Sequence, residues 1–542
     1  MTSFKFALAL PFAVVVTAAN ASAQDHGTVL VVMAPKDKPP GQPQPRQSAH
    51  GADAAPRPPR DDTWDVWGEA RGRVNHMAAF GLDNLGTGHG VAQFGQTRLL
   101  AGARWMMTDK VKVDVELEAL SAQVGGDTTA LGLTYTDRPF AVARDGSQDL
   151  ARLVPRKAML AYTGALGQVA LGAQTFSWGT GILANDGSGD NAFGDSWLGN
   201  AVARLSLATK PLAKASTLPL LQNLAVFVAG DWVIRDDNAT LFDGDQATTL
   251  LVGARTEHEG TSAGLLLFYR DQTDRDDLRR PTADPSYARI VGLDVYGKTR
   301  IALSDSTVLA LEAELVHLRG RTTRPWSDAT WTAGADVAAW AAIGRIRFDH
   351  DTLRLSAQLE SGFASGDNDP RDATARAFAM HSDHNVGLVL FDHVLPLMAA
   401  RSVDRVADPR LMAVAPPSGR FAITQGGVHN AIYAFPTLRW RPIAPLQLRL
   451  GYVLAAAASP VMDPYQTGLH GGYPTNAGAK VQQAGLYGHE VDAKITWDID
   501  LPAKSVLRLG GEGGVLVPGE ALAGVPALGS PWLARGLVSV HW

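Results

Sequence analysis

Residues 532–542 read Trp-Leu-Ala-Arg-Gly-Leu-Val-Ser-Val-His-Trp, and their side chains sort by parity. Trp532, Ala534, Gly536, Val538, Val540 and Trp542 fall on one face, while Arg535, Ser539 and His541 fall on the other. A side-chain period of two belongs to a β-strand, because successive Cβ atoms leave the pleat on opposite sides. The pattern recurs upstream in Val111–Glu118, Leu353–Glu360, Leu446–Leu450 and Val491–Asp498, each apolar on one face and charged or polar on the other. A helix needs a period near 3.6, which these segments lack. About 18 such segments of roughly 9 to 15 residues recur down the chain, long enough to cross a bilayer as tilted strands.

Composition leaves two architectures for so many strands, a secreted β protein or a transmembrane barrel. The chain has no Cys, so it is not a disulfide scaffold. A hydrophobic fraction of 46% and a mean hydropathy of -0.04 suit either choice, because lipid-facing and lumen-facing residues cancel in a barrel. A net charge of -5 argues against a nucleic-acid partner.

The connections decide between the two. Thr108–Lys110, Gly164–Gly167, His258–Gly260, Ser304–Ser306, His350–Asp351, Pro442–Pro445 and Asp500–Lys504 are short. Ala122–Asp149, Phe176–Gly199, Gly366–Val428 and Ala455–Gln483 are long and polar. Lys210–Leu221 is a longer turn where a short one is due. Short periplasmic turns alternating with long extracellular loops are the asymmetry of outer-membrane barrels. The expected fold is all-β: a transmembrane antiparallel β-barrel of about 18 strands spanning residues 63–542. An even count places both termini in the periplasm.

The N-terminus fits export. Lys5, the apolar run Phe6–Val16 and the small-residue site Ala21-Ser22-Ala23 read as a signal peptide over 1–23. Residues 24–62 are Pro-rich, as in Lys38-Pro39-Pro40 and Pro56-Arg57-Pro58-Pro59, and read as a disordered periplasmic linker.

If the apolar faces meet lipid, the opposite faces enclose a lumen. Arg71, Arg73, Arg98, Arg104, Lys298, Arg300, Arg345, Arg347, Arg354, Arg439, Arg449 and Arg508 are the candidate pore-lining residues. Acids such as Glu116, Glu118, Glu312, Glu314, Glu360 and Asp492 share that face, so many of these bases pair across the wall and merely hold it together. Charged walls also keep a pore wet and select ions by sign, and the wider spread of bases suggests a modest preference for anions. Residues 366–428 are too long for a simple connection and are expected to constrict the pore.

Three stretches carry a family resemblance. Ser365–Asp372 is Gly- and Asp-rich, Phe391-Asp392-His393-Val394-Leu395-Pro396 follows it, and Gly172–Gly179 precedes Asn185-Asp186-Gly187. The first two together resemble the alginate-export family of outer-membrane porins, and the third resembles the strand and loop of related porins. The resemblance implies an 18-stranded channel for a polysaccharide or another organic solute. Position 173, where that family carries Arg, is Ala here. The terminal Trp542 also resembles the signal by which such barrels engage the barrel-assembly machinery. Outer-membrane lipid and lipopolysaccharide would then be the surrounding partners.

Other chemistry has weaker support. Asp367, Asp369 and Asp372, or Asp186, Asp190 and Asp195, offer oxygens that suit calcium, yet neither set ends in the Glu of a full calcium loop. His381, His384 and His393 lack a ligand pattern, so neither a metal nor a cofactor is expected. A barrel enzyme would need a nucleophile and base; Ser539 and His541 share a face, at the periplasmic end. A plugged structural or adhesive barrel is the third reading.

Overall fold

The structure, a computed structural model, describes residues 64–129, 131, 153–189, 191–196, 199–274, 287–323, 334–408, 410–412 and 426–542. The signal peptide and linker expected over 1–62 fall outside the described residues, as does Asp190.

Eighteen strands carry the fold. They are β1 (Trp64–Met77), β2 (Ala92–Met106), β3 (Val111–Gly126), β4 (Val154–Gly164), β5 (Gly167–Thr175) and β6 (Ala201–Thr209). Next come β7 (Ala225–Arg235), β8 (Gln246–His258), β9 (Thr261–Thr273), β10 (Tyr287–Ser304), β11 (Thr307–Thr322) and β12 (Ala335–His350). The last six are β13 (Leu355–Ala364), β14 (Ala431–Ile443), β15 (Leu446–Ala457), β16 (Leu486–Asp500), β17 (Val506–Pro518) and β18 (Trp532–His541).

Each strand pairs antiparallel with the next, and β1 pairs with β18 from Glu69 opposite His541 to Met77 opposite Leu533. The sheet is therefore a closed antiparallel barrel with no free edge. Closure matters because hydrocarbon cannot hydrogen-bond an unpaired backbone group. One two-residue strand, Thr374–Ala375, lies parallel to the long-loop end of β12. The long connection expected over Lys210–Leu221 runs on to Ala225 and contains a single helical turn, Pro219–Gln222.

The alternation read from the sequence separates two surfaces. Leu205, Leu207, Leu250, Leu265, Leu267 and Val295 face outward and are exposed. Among the described residues no helix is long and apolar enough to cross a membrane; the exposed apolar face of the closed barrel is the lipid-facing wall. Trp64 and Trp105 stack outside at 5.1 Å between ring centroids at the short-turn end, where Trp440 and Trp497 are also exposed. Trp232, Trp340 and Trp532 are exposed towards the long-loop end. Two aromatic belts at the membrane boundaries account for that placement.

The apolar core lies inside the barrel rather than between two sheets. Inward residues Phe94, Ile343, Tyr433, Phe435, Val453 and Leu516 pack against Phe80, Ile182, Phe193, Leu388, Phe391 and Leu397 from the long loops. Loop residues thus fill the barrel at its long-loop end.

Candidate functional site

The inward face of β1, β2, β4 and β15 supplies Arg71, Arg73, Arg98, Arg156 and Arg449. All five reach the loop 176–200. Arg73 Nη1 lies 2.8 Å and Arg71 Nη1 3.3 Å from the Asp195 carboxylate. Arg98 donates to the carbonyl of Ser196 at 3.0 Å, and Arg449 donates to those of Asn191 and Ala192 at 2.8 and 2.9 Å. Arg156 donates to the carbonyl of Asp186 and pairs with Glu116 and Glu118 at 3.0 and 3.1 Å. Burial alone would raise the Asp195 carboxyl, but Arg71 and Arg73 outweigh it and hold the group well below the usual carboxylate range.

The loop between β13 and β14 folds onto this layer. The His381 backbone N–H donates to the carbonyl of Ile182 at 2.8 Å, and its Nε2 lies 2.8 Å from Asn200 Oδ1. Asp383 Oδ2 accepts from the N–H of Gly199 at 2.6 Å, and Ser382 donates twice to Asp237. His384 Nε2 lies 3.2 Å from Glu360 on β13. Glu490 on β16 accepts from three successive amides, Leu388, Val389 and Leu390.

From there a π-helical turn, Leu390–Val394, runs into helix α1 (Leu395–Ala407), with Pro396 in its first turn where a missing N–H is harmless. Arg401 and Arg405 of α1 reach Asp83 in the loop after β1 at 3.0 and 3.5 Å. Arg405 also stacks on Tyr465 of helix α2 (Pro464–Leu469), 3.8 Å from the ring centroid. His393 is buried beside Arg535, which together push it down to about 3, so it is neutral at ordinary pH.

A second group lies nearer the short-turn end. Arg300, Arg347 and Arg439 converge from β10, β12 and β14 on the single carboxylate of Asp349, at 3.9, 3.0 and 4.0 Å. Arg345 bridges Glu312 and Glu360 at 3.0 and 2.6 Å. Arg508 pairs with Asp498, and Arg104 with Asp114, at 2.7 and 2.8 Å. Lys298 faces inward opposite Glu312.

Two sequence expectations need correction. Arg354 is not on a strand: it sits in the turn before β13 with φ +50 and is exposed, so the strand alternation starts at Leu355 and not at Leu353. Ala173 faces outward while its neighbour Gln174 is buried inside, so an arginine at 173 would meet lipid and its absence leaves the lumen unchanged.

The loop acids are occupied by the protein itself. Asp367 accepts from the N–H groups of Asp369 and Arg376, both at 3.1 Å, and Asp372 pairs with Arg376 at 2.7 Å. Among the described residues no group of three acids or histidines is disposed to hold a metal ion. Ser539 Oγ lies 3.0 Å from His541 Nε2, but both oxygens of the nearby Glu69 are taken by Arg71, at 2.7 and 3.0 Å.

Comparison with known proteins finds a family model that matches part of the chain and solved structures of similar fold. The alginate-export family model matches residues 231–381, a segment that contains Ser365–Asp372 but neither of the other two motifs. No curated protein matches the chain in sequence. The chain is similar to OccAB2 of Acinetobacter baumannii, at 10% identity and a TM-score of 0.50 over 88% of this chain and 98% of that one. It is also similar to a BenF-like porin of Pseudomonas fluorescens, at 11% identity and a TM-score of 0.49 over 88% and 98%. OccK2 of Pseudomonas aeruginosa gives 10%, 0.48, 88% and 97%.

Proposed function

We propose that this bacterial outer-membrane, porin-like β-barrel is a passive channel for small organic solutes, saccharides among them, with a preference for anions. The carrying observation is the convergence of Arg300, Arg347 and Arg439 on one carboxylate, Asp349. Three guanidiniums gathered at one place put positive charge on the inner wall, and a low-dielectric wall strengthens its field on a passing solute. Arg71, Arg73, Arg98 and Arg449 contribute differently: they seat the loop 176–200, and with the loop 365–430 that loop forms the constriction. The remaining candidates, Arg104, Lys298, Arg345 and Arg508, line the path with their partners.

The long loops face lipopolysaccharide, and the strand ending at Trp542 engages the barrel-assembly machinery. Neither reading assigns catalysis to Ser539 and His541.

Proteoliposome swelling tests the reading. A monovalent sugar acid should enter faster than the neutral sugar of the same size, and an Arg300→Gln, Arg347→Gln, Arg439→Gln variant should bring the two rates together. Equal rates in the unaltered protein would refute anion preference, and no entry of either solute would favour a plugged barrel.

A further inference from the structure

The outer wall is apolar almost throughout. Strand register assigns each strand residue an inward or outward face, and among the described residues Asp, Glu, Lys and Arg face outward at only five positions. These are Asp271 on β9, Arg289 on β10, Arg319 and Arg321 on β11, and Asp336 on β12. All five lie at the long-loop ends of four consecutive strands.

Arg289 and Arg321 stand directly opposite each other, with Arg319 two residues along the same face, and Asp271 and Asp336 stand opposite them on the outer sides, so three arginines share the patch with two acids. A charge on a lipid-facing wall is tolerated only near the interface. Asp271 reaches Arg289 at 3.6 Å, yet the Arg289 side chain stays 62% exposed, with its guanidinium 5.5 Å from the Tyr287 ring centroid. Just below, His317 stacks on Trp340 at 3.8 Å and Tyr269 is exposed, which sets the patch at head-group level. Guanidiniums bind phosphate through paired charge-assisted hydrogen bonds.

We propose that Arg289, Arg319 and Arg321 form a docking site for the head-group phosphate of an outer-leaflet glycolipid. Its acyl chains run down the apolar wall over Val291, Leu293 and Leu315. The site rests on the reading that the long-loop rim faces the glycolipid leaflet, and it goes beyond that reading by fixing one place on the wall.

Native mass spectrometry of the barrel in detergent micelles tests it, with bis-phosphorylated lipid A as probe. The unaltered protein should retain lipid A at least about tenfold more tightly than an Arg289→Gln, Arg319→Gln, Arg321→Gln variant. Lipid A stripped of both phosphates should bind the two proteins equally. Equal retention of the phosphorylated probe by both proteins would overturn the site. Displacement by millimolar inorganic phosphate, or equally tight retention of phosphatidylglycerol, would overturn the glycolipid assignment. A change of oligomeric state in place of lipid loss would point to a second copy of the chain and also overturn it. Should the triple variant not fold, Arg319→Gln alone should still weaken retention severalfold. Conductance is the independent readout: the variant should conduct normally, so a failed site and a failed channel are distinguishable. Retention of lipid A by neither protein would likewise overturn the site.

Discussion

Nη1 of Arg73 lies 2.8 Å from Oδ2 of Asp195, and this pair ties the first strand to the loop 176–200 inside the barrel. Replacing Asp195 with Asn should remove the carboxylate that buried Arg73 shares with Arg71, which keeps Glu69, at a cost of about 3–5 kcal/mol. Phe193 in the same loop is fully buried, so faster chymotrypsin cleavage there and noisier open-channel current are the expected readouts. A variant as quiet and as resistant as the parent would contradict the tie.

The same pair fixes a pH window. The Asp195 carboxyl is held below its ordinary value of 3.8 in the folded state, so its contribution is complete above that value and fades as pH falls further. Current noise should be constant from about pH 5 to 8 and rise only below about pH 4. A transition near neutrality would show that some other group controls the loop.

Glu490 holds the loop 365–430 by accepting the amides of Leu388, Val389 and Leu390. Glu490→Ala would orphan three buried N–H groups, each worth about 1–3 kcal/mol. Trypsin should then reach Arg401 and Arg405 in α1 faster, without loss of the heat-resistant barrel. Unchanged digestion would mean that the apolar packing of Phe391 and Leu397 suffices.

Asp392 should respond to pH in the opposite sense from Asp195. Burial, reinforced by Glu490 and Glu512, pushes its carboxyl well above 3.8 despite Arg535 and Arg73. Stability tied to it is complete below that value and is lost as pH rises through the folded value. Asp392→Asn should match the parent near pH 3.5 and exceed its melting temperature at pH 8. A variant less stable than the parent at pH 8 would show that the charged form is the one the fold uses.

At the seam, Gly68 and Trp542 exchange backbone hydrogen bonds of 3.0 and 3.1 Å, and the indole lies over the glycine. A Cβ at Gly68 would come within 2.2 Å of Trp542 Cζ2. Gly68→Val should therefore expel the ring and lower the fraction of heat-resistant barrel in gels. An unchanged fraction would mean that the seam does not need the indole.

The wall of the barrel was legible because parity is local: Val111–Glu118 states its own two faces. Closure followed from loops sorted by length. What fills the lumen was not legible, because no local pattern says that Arg98 meets the carbonyl of Ser196, or Arg449 that of Asn191. Those contacts depend on which loop turns inward, and backbone carbonyls leave no residue-specific trace. Arg354 was misplaced for a related reason: a left-handed turn residue keeps the parity of a strand without belonging to one. The outward arginines are not legible in sequence, because a charge on the apolar face reads as a strand end until register brings three of them together.

Single-channel recording across a planar bilayer in asymmetric salt tests the central claim most directly. The purified barrel should give stepwise conductance with a reversal potential of the sign for anion preference, and the triple glutamine substitution at Arg300, Arg347 and Arg439 should move it towards zero. Absence of steps, or a reversal potential of the cation-selective sign, would contradict it.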